Sequence, residues 1–243
     1  MAVVIWLFAG GGATEIRGLV PFLEKHYPGY RVHRMTPITR KPGPRPGFTL
    51  PGHGRTGESL ASEIRERLPD VLARNEECDV ILVIDDLDCR SETDHRDRFL
   101  DAIDSAHGAS AITRFVGFAA PELEVWIIAD WANSVAKHQD FRGRHNRMRH
   151  WLVTEKNISF ETPESYGIYN PDKDSCNEKL SDAIIESTML HVDDRLLPRY
   201  SKGLHTPILL QMIDPEIVKD KCQIFKKLHV FLNENCRAPQ ELS

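Results

Sequence analysis

The sequence lacks the short signatures of several common kinds of site. Its five cysteines are widely spaced and include no C-x-x-C pair, which argues against a zinc knuckle and against a disulfide framework. The same cysteine usage is typical of a reducing compartment, so we expect a cytoplasmic protein. The glycine-rich stretch AGGGATE, at 9–15, lacks the lysine of a G-x-x-x-x-G-K-[ST] phosphate loop and the spacing of G-x-G-x-x-G.

Long apolar runs and an excess of positive charge are also missing. The first apolar run, VVIWLF at 3–8, is far too short to span a bilayer, and no basic residue precedes it as in a signal peptide. We therefore expect no membrane partner. With 31 basic and 36 acidic residues the net charge is −5, so any binding to nucleic acid must use a local basic patch.

The apolar pattern predicts an α/β fold. Strands are predicted at 3–8, 30–35, 79–88 and 112–120, with amphipathic helical segments between them, and this alternation is typical of a parallel sheet flanked by helices. After about residue 136 the pattern weakens into a basic segment, a polar stretch at 155–182 and a closing amphipathic helix at 217–235. We predict an α/β core at 1–136 and a helical or irregular extension, 137–243, packed on it.

Prolines fall inside or next to the predicted helices. Pro21 is expected to kink the first helix or to delay its start, and Pro69 to break or bend the helix that follows residue 57. Pro121 precedes ELEVW, where proline is favoured in the first turn of a helix.

Acidic side chains follow the ends of predicted strands. Because the carboxyl ends of parallel strands share one sheet edge, neighbouring strands would bring these acids together. Several carboxylates in one cleft are stabilised by a hard cation, and oxygen-only ligands favour Mg²⁺ or Mn²⁺. The alternative is that each acid caps a helix or complements its dipole. The acids are Glu15, Asp85, Asp86, Asp88, Glu122 and Glu124.

These motifs resemble a known family. An apolar strand that ends near G-x-T-E, a strand that ends in D-x-D, and P-E-L-E-x-W resemble the Toprim-related proteins of the uncharacterised DUF4276 group. Those proteins resemble in turn the Toprim domains of overcoming-lysogenization-defect nucleases. The later segments YSKGLHTPILLQMID and CQIFKKLHVFL are similar to the C-terminal part of that group.

The resemblance implies a Toprim-like fold and a Mg²⁺- or Mn²⁺-dependent nuclease acting on DNA or RNA. It implies metal ligands at Asp86 and Asp88 and further acids at Glu122 and Glu124. Lys202 would neutralise the charge that develops on phosphate. The family usually has E-G-x-T-E after its first strand, whereas this chain has GGATE. Gly11 thus stands where the family has its principal glutamate, and Glu15 matches the second one.

That substitution leaves several readings open. Glu15 or a glutamate of PELE takes over the missing role, or the chain is a catalytically degenerate module that binds a partner protein or nucleic acid. A third reading is a nucleotide-binding enzyme that uses the glycine turn. The resemblance also implies a role in anti-phage defence beside an ATPase subunit, because the chain has no Walker motif of its own. A homo-oligomer is a further alternative.

A basic segment, KHQDFRGRHNRMRH at 137–150, is the candidate nucleic-acid surface. Arginines bind phosphates through forked hydrogen bonds and counterion release, although they would serve equally well as ion-pair partners for the many acids. The residues proposed to bind nucleic acid are Arg142, Arg144, Arg147 and Arg149. The loop TRKPGPRPG, at 39–47, is a second basic candidate, and His53 a candidate acid or base near neutral pH.

Overall fold

A four-stranded parallel sheet forms the centre of the protein. The computed structural model describes residues 2–10, 12–37, 57–74 and 76–235. The strands are β1 (Val3–Ala9), β2 (Tyr30–Arg34), β3 (Val80–Asp86) and β4 (Thr113–Ala119), in the order β2-β1-β3-β4. Every neighbouring pair in this sheet is parallel. The predicted α/β fold and its strands are therefore confirmed.

Helices cover both faces of the sheet, which explains why its central strands are apolar without alternation. On β1, Val4 and Trp6 pack under α2 (Glu58–Leu72) and α3 (Glu92–Asp104), with Leu60 and Phe99 among the buried partners. The alternate residues of β1, such as Leu7, face the opposite way. A continuous apolar strand thus supplies two cores at once.

The opposite face carries α1 (Ala13–His26) and the C-terminal half of the chain. Its further helices are α4 (Glu124–Ala129), α5 (His145–Thr154), α6 (Leu180–Ser187), α7 (Lys202–Leu210), α8 (Pro215–Lys221) and α9 (Gln223–Asn235). α9 lies directly on β4, where Gly117 leaves room for Leu228: a Cβ at Gly117 would come within 3.3 Å of it. The C-terminal half shares one apolar core with the sheet.

Short elements connect these helices. A hairpin of β5 (Tyr169–Asn170) and β6 (Ser175–Cys176) lies within the polar stretch 155–182. Turns of 3₁₀ helix are formed by Ala109–Ala111, Pro163–Ser165 and Val192–Leu196. In the described part of the chain, none of the helices combines the length and apolar character needed to cross a membrane.

Pro21 does not delay the start of its helix, and Pro69 does not break its helix. α1 runs through Pro21, and α2 continues past Pro69 to Leu72. A proline removes a helical hydrogen bond, but residues such as Leu19 and Leu68, fully buried on either side of the sheet, hold both helices in place. The prediction that Pro121 opens a helix was wrong: its peptide bond to Ala120 is cis, and α4 begins only at Glu124.

The closing amphipathic segment forms two helices instead of one. α8 ends at Lys221, Cys222 is extended, and α9 begins at Gln223. The carboxylate of Glu164 accepts hydrogen bonds of 3.0–3.1 Å from the backbone N–H groups of Ile224 and Phe225. This distant acid caps the start of α9, which stabilises a second helix N-terminus there.

The structure contains a disulfide, although the cysteine spacing argued against a disulfide framework. Cys89, just after β3, is bonded to Cys176 at the end of β6, at a sequence separation of 87 residues. Cys78 and Cys222 are free. Spacing alone cannot reveal such a pair, because the fold brings the loop after β3 against a hairpin that has no strong sequence signal.

Candidate active site

The strand order creates a crevice between the carboxyl ends of β1 and β3. From β1 the chain passes to β2 on one side, and from β3 it passes to β4 on the other. In open parallel sheets such a switch point is where ligands bind. Asp86 is the last residue of β3, and Glu15 lies in the first turn of α1, directly after β1.

Lys202 lies among three carboxylates at this edge. Its Nζ is 2.7 Å from Glu122 Oε2, 3.1 Å from Glu124 Oε2 and 3.9 Å from Asp86 Oδ2. The acids are almost wholly buried, whereas the side chain of Lys202 is 33% exposed. The structure therefore brings together Asp86, both glutamates of PELE and Lys202, from three separate parts of the chain. We call these residues the acid–lysine cluster.

Glu122 is held by the N-terminus of α6. Its Oε1 accepts a 2.6 Å hydrogen bond from the backbone N–H of Ser181, and its Oε2 accepts a 3.0 Å bond from Ser181 Oγ. Burial alone acts to raise the pKa of Glu122, but the Lys202 ammonium and the Ser181 donors outweigh it and lower the pKa. Glu122 is thus the ionised partner of Lys202.

Glu124 and Asp86 have the opposite tendency. Burial raises the pKa of Glu124 to about 7, even though Lys202 is adjacent and Thr206 Oγ1 donates a 2.7 Å hydrogen bond to Oε1. Burial also raises the pKa of Asp86 well above its usual range, and Glu15 and the two glutamates add to the effect. The acids together carry more negative charge than one ammonium can balance, so protons stay on part of the cluster.

The carboxylates are positioned by backbone and by α7. The backbone N–H of Leu123 donates a 2.9 Å hydrogen bond to Asp86 Oδ1. Lys202 opens α7, and the preceding Ser201 donates its N–H to His205 Nδ1 at 2.8 Å. His205 Nε2 lies 3.4 Å from Asp140 Oδ2. These supporting contacts join residues far apart in the chain, and no sequence motif marked Ser181, Thr206 or His205.

Glu15 contributes a carboxylate oxygen with spare capacity. The residue is only 8% exposed, and its Oε2 has no hydrogen-bond partner among the described residues. Arg34 fixes the neighbouring turn by donating to the backbone carbonyl oxygens of Glu15, at 2.6 Å, and of Ala9 and Gly10. Nearby Gly12 also matters, because a Cβ there would lie 2.1 Å from Glu15 Oε2.

The other strand-end acids point elsewhere. Asp85 faces the α2–α3 side, where its Oδ2 accepts from the Gly57 N–H at 2.8 Å and lies 3.2 Å from His95 Nε2. Asp88 has a positive φ of 49° and forms an ion pair with Arg90 at 3.2 Å. Asp86 lies near Lys202, whereas Asp88 pairs with Arg90 instead. The expectation that both acids of D-x-D share one site with Glu122 and Glu124 is therefore supported for Asp86 alone.

The carboxylate oxygens of the cluster are suitable ligands for a hard cation, but in the described residues they are not arranged as a metal-binding site. All candidate ligands are carboxylate oxygens, the Glu15 oxygen lacks a partner, and the negative charge exceeds the positive charge. Yet in the described ranges no set of at least three acidic, histidine or cysteine side chains is arranged to hold a metal ion. Lys202 lies between the carboxylates, so a cation requires the lysine or a glutamate to shift.

The basic segment is largely committed to internal contacts. Arg144 is buried and donates to the backbone oxygens of Thr188, at 2.7 Å, and Pro198. Arg147 pairs with Asp194, and Arg149 lies over the Phe160 ring at 4.6 Å. An exposed basic face that includes Arg144 was therefore a wrong expectation, because its guanidinium holds two loops together. Of the four arginines, Arg142 and Arg149 are exposed.

Some predicted features lie outside the described residues. These are Gly11, the loop TRKPGPRPG and His53. Of the glycine turn, Gly10 and Gly12 are described.

Comparison with known proteins gives no assignment. No family model, no curated protein and no solved structure matches the chain. The function is argued below from the acid–lysine cluster itself.

Proposed function

We propose that the protein is a Toprim-like, metal-dependent, nuclease-type enzyme that acts on the phosphodiesters of DNA or RNA. The observation that carries the proposal is the convergence of Asp86, Glu122 and Glu124 on Lys202 at the switch point of a parallel sheet. Buried acids grouped with a lysine suit phosphoryl chemistry, in which charge develops on oxygen atoms and has to be stabilised.

Mg²⁺ or Mn²⁺ is the cofactor that suits these ligands. Asp86, Glu124 and Glu15 would hold it, because the oxygens of Glu122 are already occupied by Ser181 and Lys202. Such an ion polarises a phosphoryl oxygen and lowers the pKa of a bound water. We do not assign Asp88 a ligand role, since it pairs with Arg90.

The residues of the chain have separate roles in this proposal. Lys202, held by Glu122, places a positive charge at the open side of the cluster, where it would meet a phosphate oxygen. Glu124, whose buried carboxyl group has a pKa of about 7 without a metal ion, would lose its proton on binding the ion. Arg142 and Arg149, the exposed arginines of the basic segment, would contact nucleic acid.

The cellular setting belongs to the same proposal. We infer a cytoplasmic protein that takes part in anti-phage defence beside an ATPase subunit, with a homo-oligomer as an alternative assembly. This setting depends on the resemblance of the D-x-D, PELE and YSKG segments to the Toprim-related group.

Calorimetry with Mn²⁺ tests the metal step first. Wild-type protein should bind Mn²⁺, and Asp86→Asn should lose most of that binding because Asp86 is the acid at the strand end. Asp101→Asn, which removes an exposed acid of α3, is the matched control and should bind like the wild type. Equal binding by all three proteins would contradict a metal site in the cluster.

Cleavage assays test the chemical step. Wild-type protein and Lys202→Met should be incubated with single- and double-stranded DNA and RNA and with Mn²⁺. Cleavage that depends on Lys202 and on Mn²⁺ is the expected result. Cleavage that persists in Lys202→Met at the wild-type rate would remove the lysine from the mechanism.

A degenerate binding module is the second candidate. It is favoured by the position of Lys202 between the carboxylates, where its ammonium compensates the charge that a metal would otherwise balance. In that case Mn²⁺ binding is absent and Asp86→Asn leaves biological activity intact. Charge reversal at Arg142, which is exposed, would then reduce binding to nucleic acid or to the partner.

A further inference from the structure

The disulfide joins the segment that follows Asp86 to the segment that leads to Ser181, the partner of Glu122. Cys89 is three positions after Asp86, the final residue of β3, and Cys176 is five positions before Ser181, which binds Glu122. The bond therefore joins the strand end that carries one acid to the segment that positions another. Closing this covalent link restricts how far the two segments can separate.

A second, non-covalent link joins the same two segments. Arg90 Nε lies 3.2 Å from Asp174 Oδ1, and the Arg90 guanidinium also donates to the Asp174 backbone oxygen. Arg90 reaches back to Asp88 at 3.2 Å, and Tyr169 donates its hydroxyl to Asp174 at 2.9 Å. The Asp174 side chain is 65% exposed, so water weakens this ion pair. The disulfide is the stronger restraint on the hairpin.

The hairpin leads straight into the N-terminus of α6. After Cys176 only residues 177–179 precede Leu180, the first residue of α6. The first turn of that helix supplies both the N–H and the hydroxyl of Ser181 to Glu122. A hairpin that is free to move would carry this turn with it, and the two donors would leave the glutamate for part of the time.

A reductant would approach the bond from the side of Cys89, since Cys176 is 4% exposed. Cys89 is partly exposed, and Cys176 lines a surface cavity of about 340 Å³ together with Tyr166, Ser175 and Lys179. A small dithiol fits a cavity of that size. By contrast Cys222, the free thiol of the C-terminal half, is fully buried in the core.

We propose that the Cys89–Cys176 disulfide is a redox-controlled tie that holds the α6 N-terminus on Glu122, and that its reduction frees Glu122 to admit a divalent cation to the cluster. The cation part rests on the proposed function, whereas the tie itself does not. The proposal gives the acid–lysine cluster a closed, oxidised form and an open, reduced form.

The redox step needs a dithiol of the thioredoxin or dithiothreitol class. One thiolate of the dithiol attacks a sulfur of the pair and forms a mixed disulfide, while the other cysteine leaves as a thiolate and takes up a proton. The second thiol of the reductant then displaces the remaining cysteine. The protein gains two electrons and two protons, and the reductant becomes a cyclic disulfide.

Hydrogen exchange tests the tie without any activity measurement. The backbone N–H of Ser181 should exchange about tenfold faster after dithiothreitol treatment. This factor is the size expected when the free energy of local opening falls by the contribution of one hydrogen bond. The variant with Cys89→Ser and Cys176→Ser should show the same acceleration without reductant. Cys78→Ser, which removes a free thiol and leaves the disulfide, should exchange like the wild type.

Mn²⁺ calorimetry tests whether reduction of the disulfide increases the affinity of the cluster for a divalent cation. The same proteins are used, after gel filtration has removed the reductant. Reduced wild type and the double variant should bind Mn²⁺ about tenfold more tightly than the oxidised form, because Glu122 Oε1 is released from Ser181. If Ser181 exchange is unchanged by reduction, or peptide mapping of oxidised protein finds no Cys89–Cys176 link, the tie is overturned. Faster exchange with equal Mn²⁺ affinity in both forms overturns the gating step. Faster exchange with no Mn²⁺ binding in either form supports the tie and removes the metal-dependent function instead.

Discussion

Replacing Lys202 by methionine should destabilise the protein in a pH-dependent way. Methionine keeps most of the apolar stem and removes the ammonium that lies 2.7 Å from Glu122 and 3.1 Å from Glu124. Removing one partner of a buried ion pair costs about 3–5 kcal/mol, because the remaining charge is uncompensated. Since the lysine side chain is 33% exposed, we expect the lower end of that range, about 3 kcal/mol, at pH 8.

The loss should shrink as the pH is lowered. Burial raises the pKa values of Asp86 and Glu124, the latter to about 7. Groups with raised pKa values are protonated in the folded state at low pH, so less negative charge then lacks a partner. At pH 5 we therefore expect the variant to lose clearly less stability than at pH 8.

Urea unfolding at both pH values measures the effect. Lys156→Met is the matched control: Lys156 Nζ is also 2.7 Å from a carboxylate, that of Glu186, but that glutamate is 51% exposed. An exposed pair contributes at most about 1 kcal/mol, so this control should change little. If Lys202→Met costs no more than the control, or costs the same at pH 5 and pH 8, the reasoning about buried charge is wrong. Adding Glu122→Gln to Lys202→Met should recover part of the loss at pH 8.

Three further predictions concern the stability of the folded protein. The folded state should lose stability as the pH rises from about 4.5 to about 7, because the raised pKa of Glu124 favours the protonated form only in the folded state. Urea titrations across this pH range should show a smaller decline in the Glu124→Gln variant. Leu228→Ala should lower the free energy of unfolding by about 2–5 kcal/mol, since Leu228 is fully buried, and an unchanged melting temperature would show that α9 does not pack on the sheet. Arg144→Ala should cost about 2–3 kcal/mol, because the buried guanidinium donates to the backbone oxygens of two separate loops. Arg142→Ala, at an exposed position, should stay within about 0.5 kcal/mol. Thermal unfolding of both variants compares them directly.

The sequence was informative where periodicity and strand ends decide the structure. The apolar runs that became β1 and β3 are buried on both faces, and such strands have an unambiguous pattern. The convergence of Asp86 with Glu124 follows from the rule that parallel strands end at one edge. The placement of Lys202 beside them had only the resemblance of YSKG to support it, since nothing in its local pattern distinguishes it from a solvated lysine.

Features that depend on contacts between distant parts of the chain could not be predicted from the sequence. Asp85 and Asp86 are neighbours in sequence, but successive residues of a strand point to opposite faces, so only one of them reaches the cluster. Arg144 looked like a surface cation because its partners, the carbonyl oxygens of Thr188 and Pro198, leave no trace in a sequence pattern. The disulfide was missed for the same reason, as its two cysteines are 87 residues apart.

The two faces of the sheet complete at different times during synthesis. The buried residues of the α2–α3 core run only from Val4 to Ala120, whereas the opposite core runs from Ile5 to Leu232. The second core is closed by contacts such as the hydrogen bond from Tyr30 Oη to the Leu232 backbone oxygen, across 202 residues. At a ribosomal rate of about 5–20 residues per second, the sheet waits on the order of 5–20 s with one apolar face covered by α1 alone. Throughout that interval the nascent chain presents a surface that a chaperone would bind and that a neighbouring chain would aggregate with.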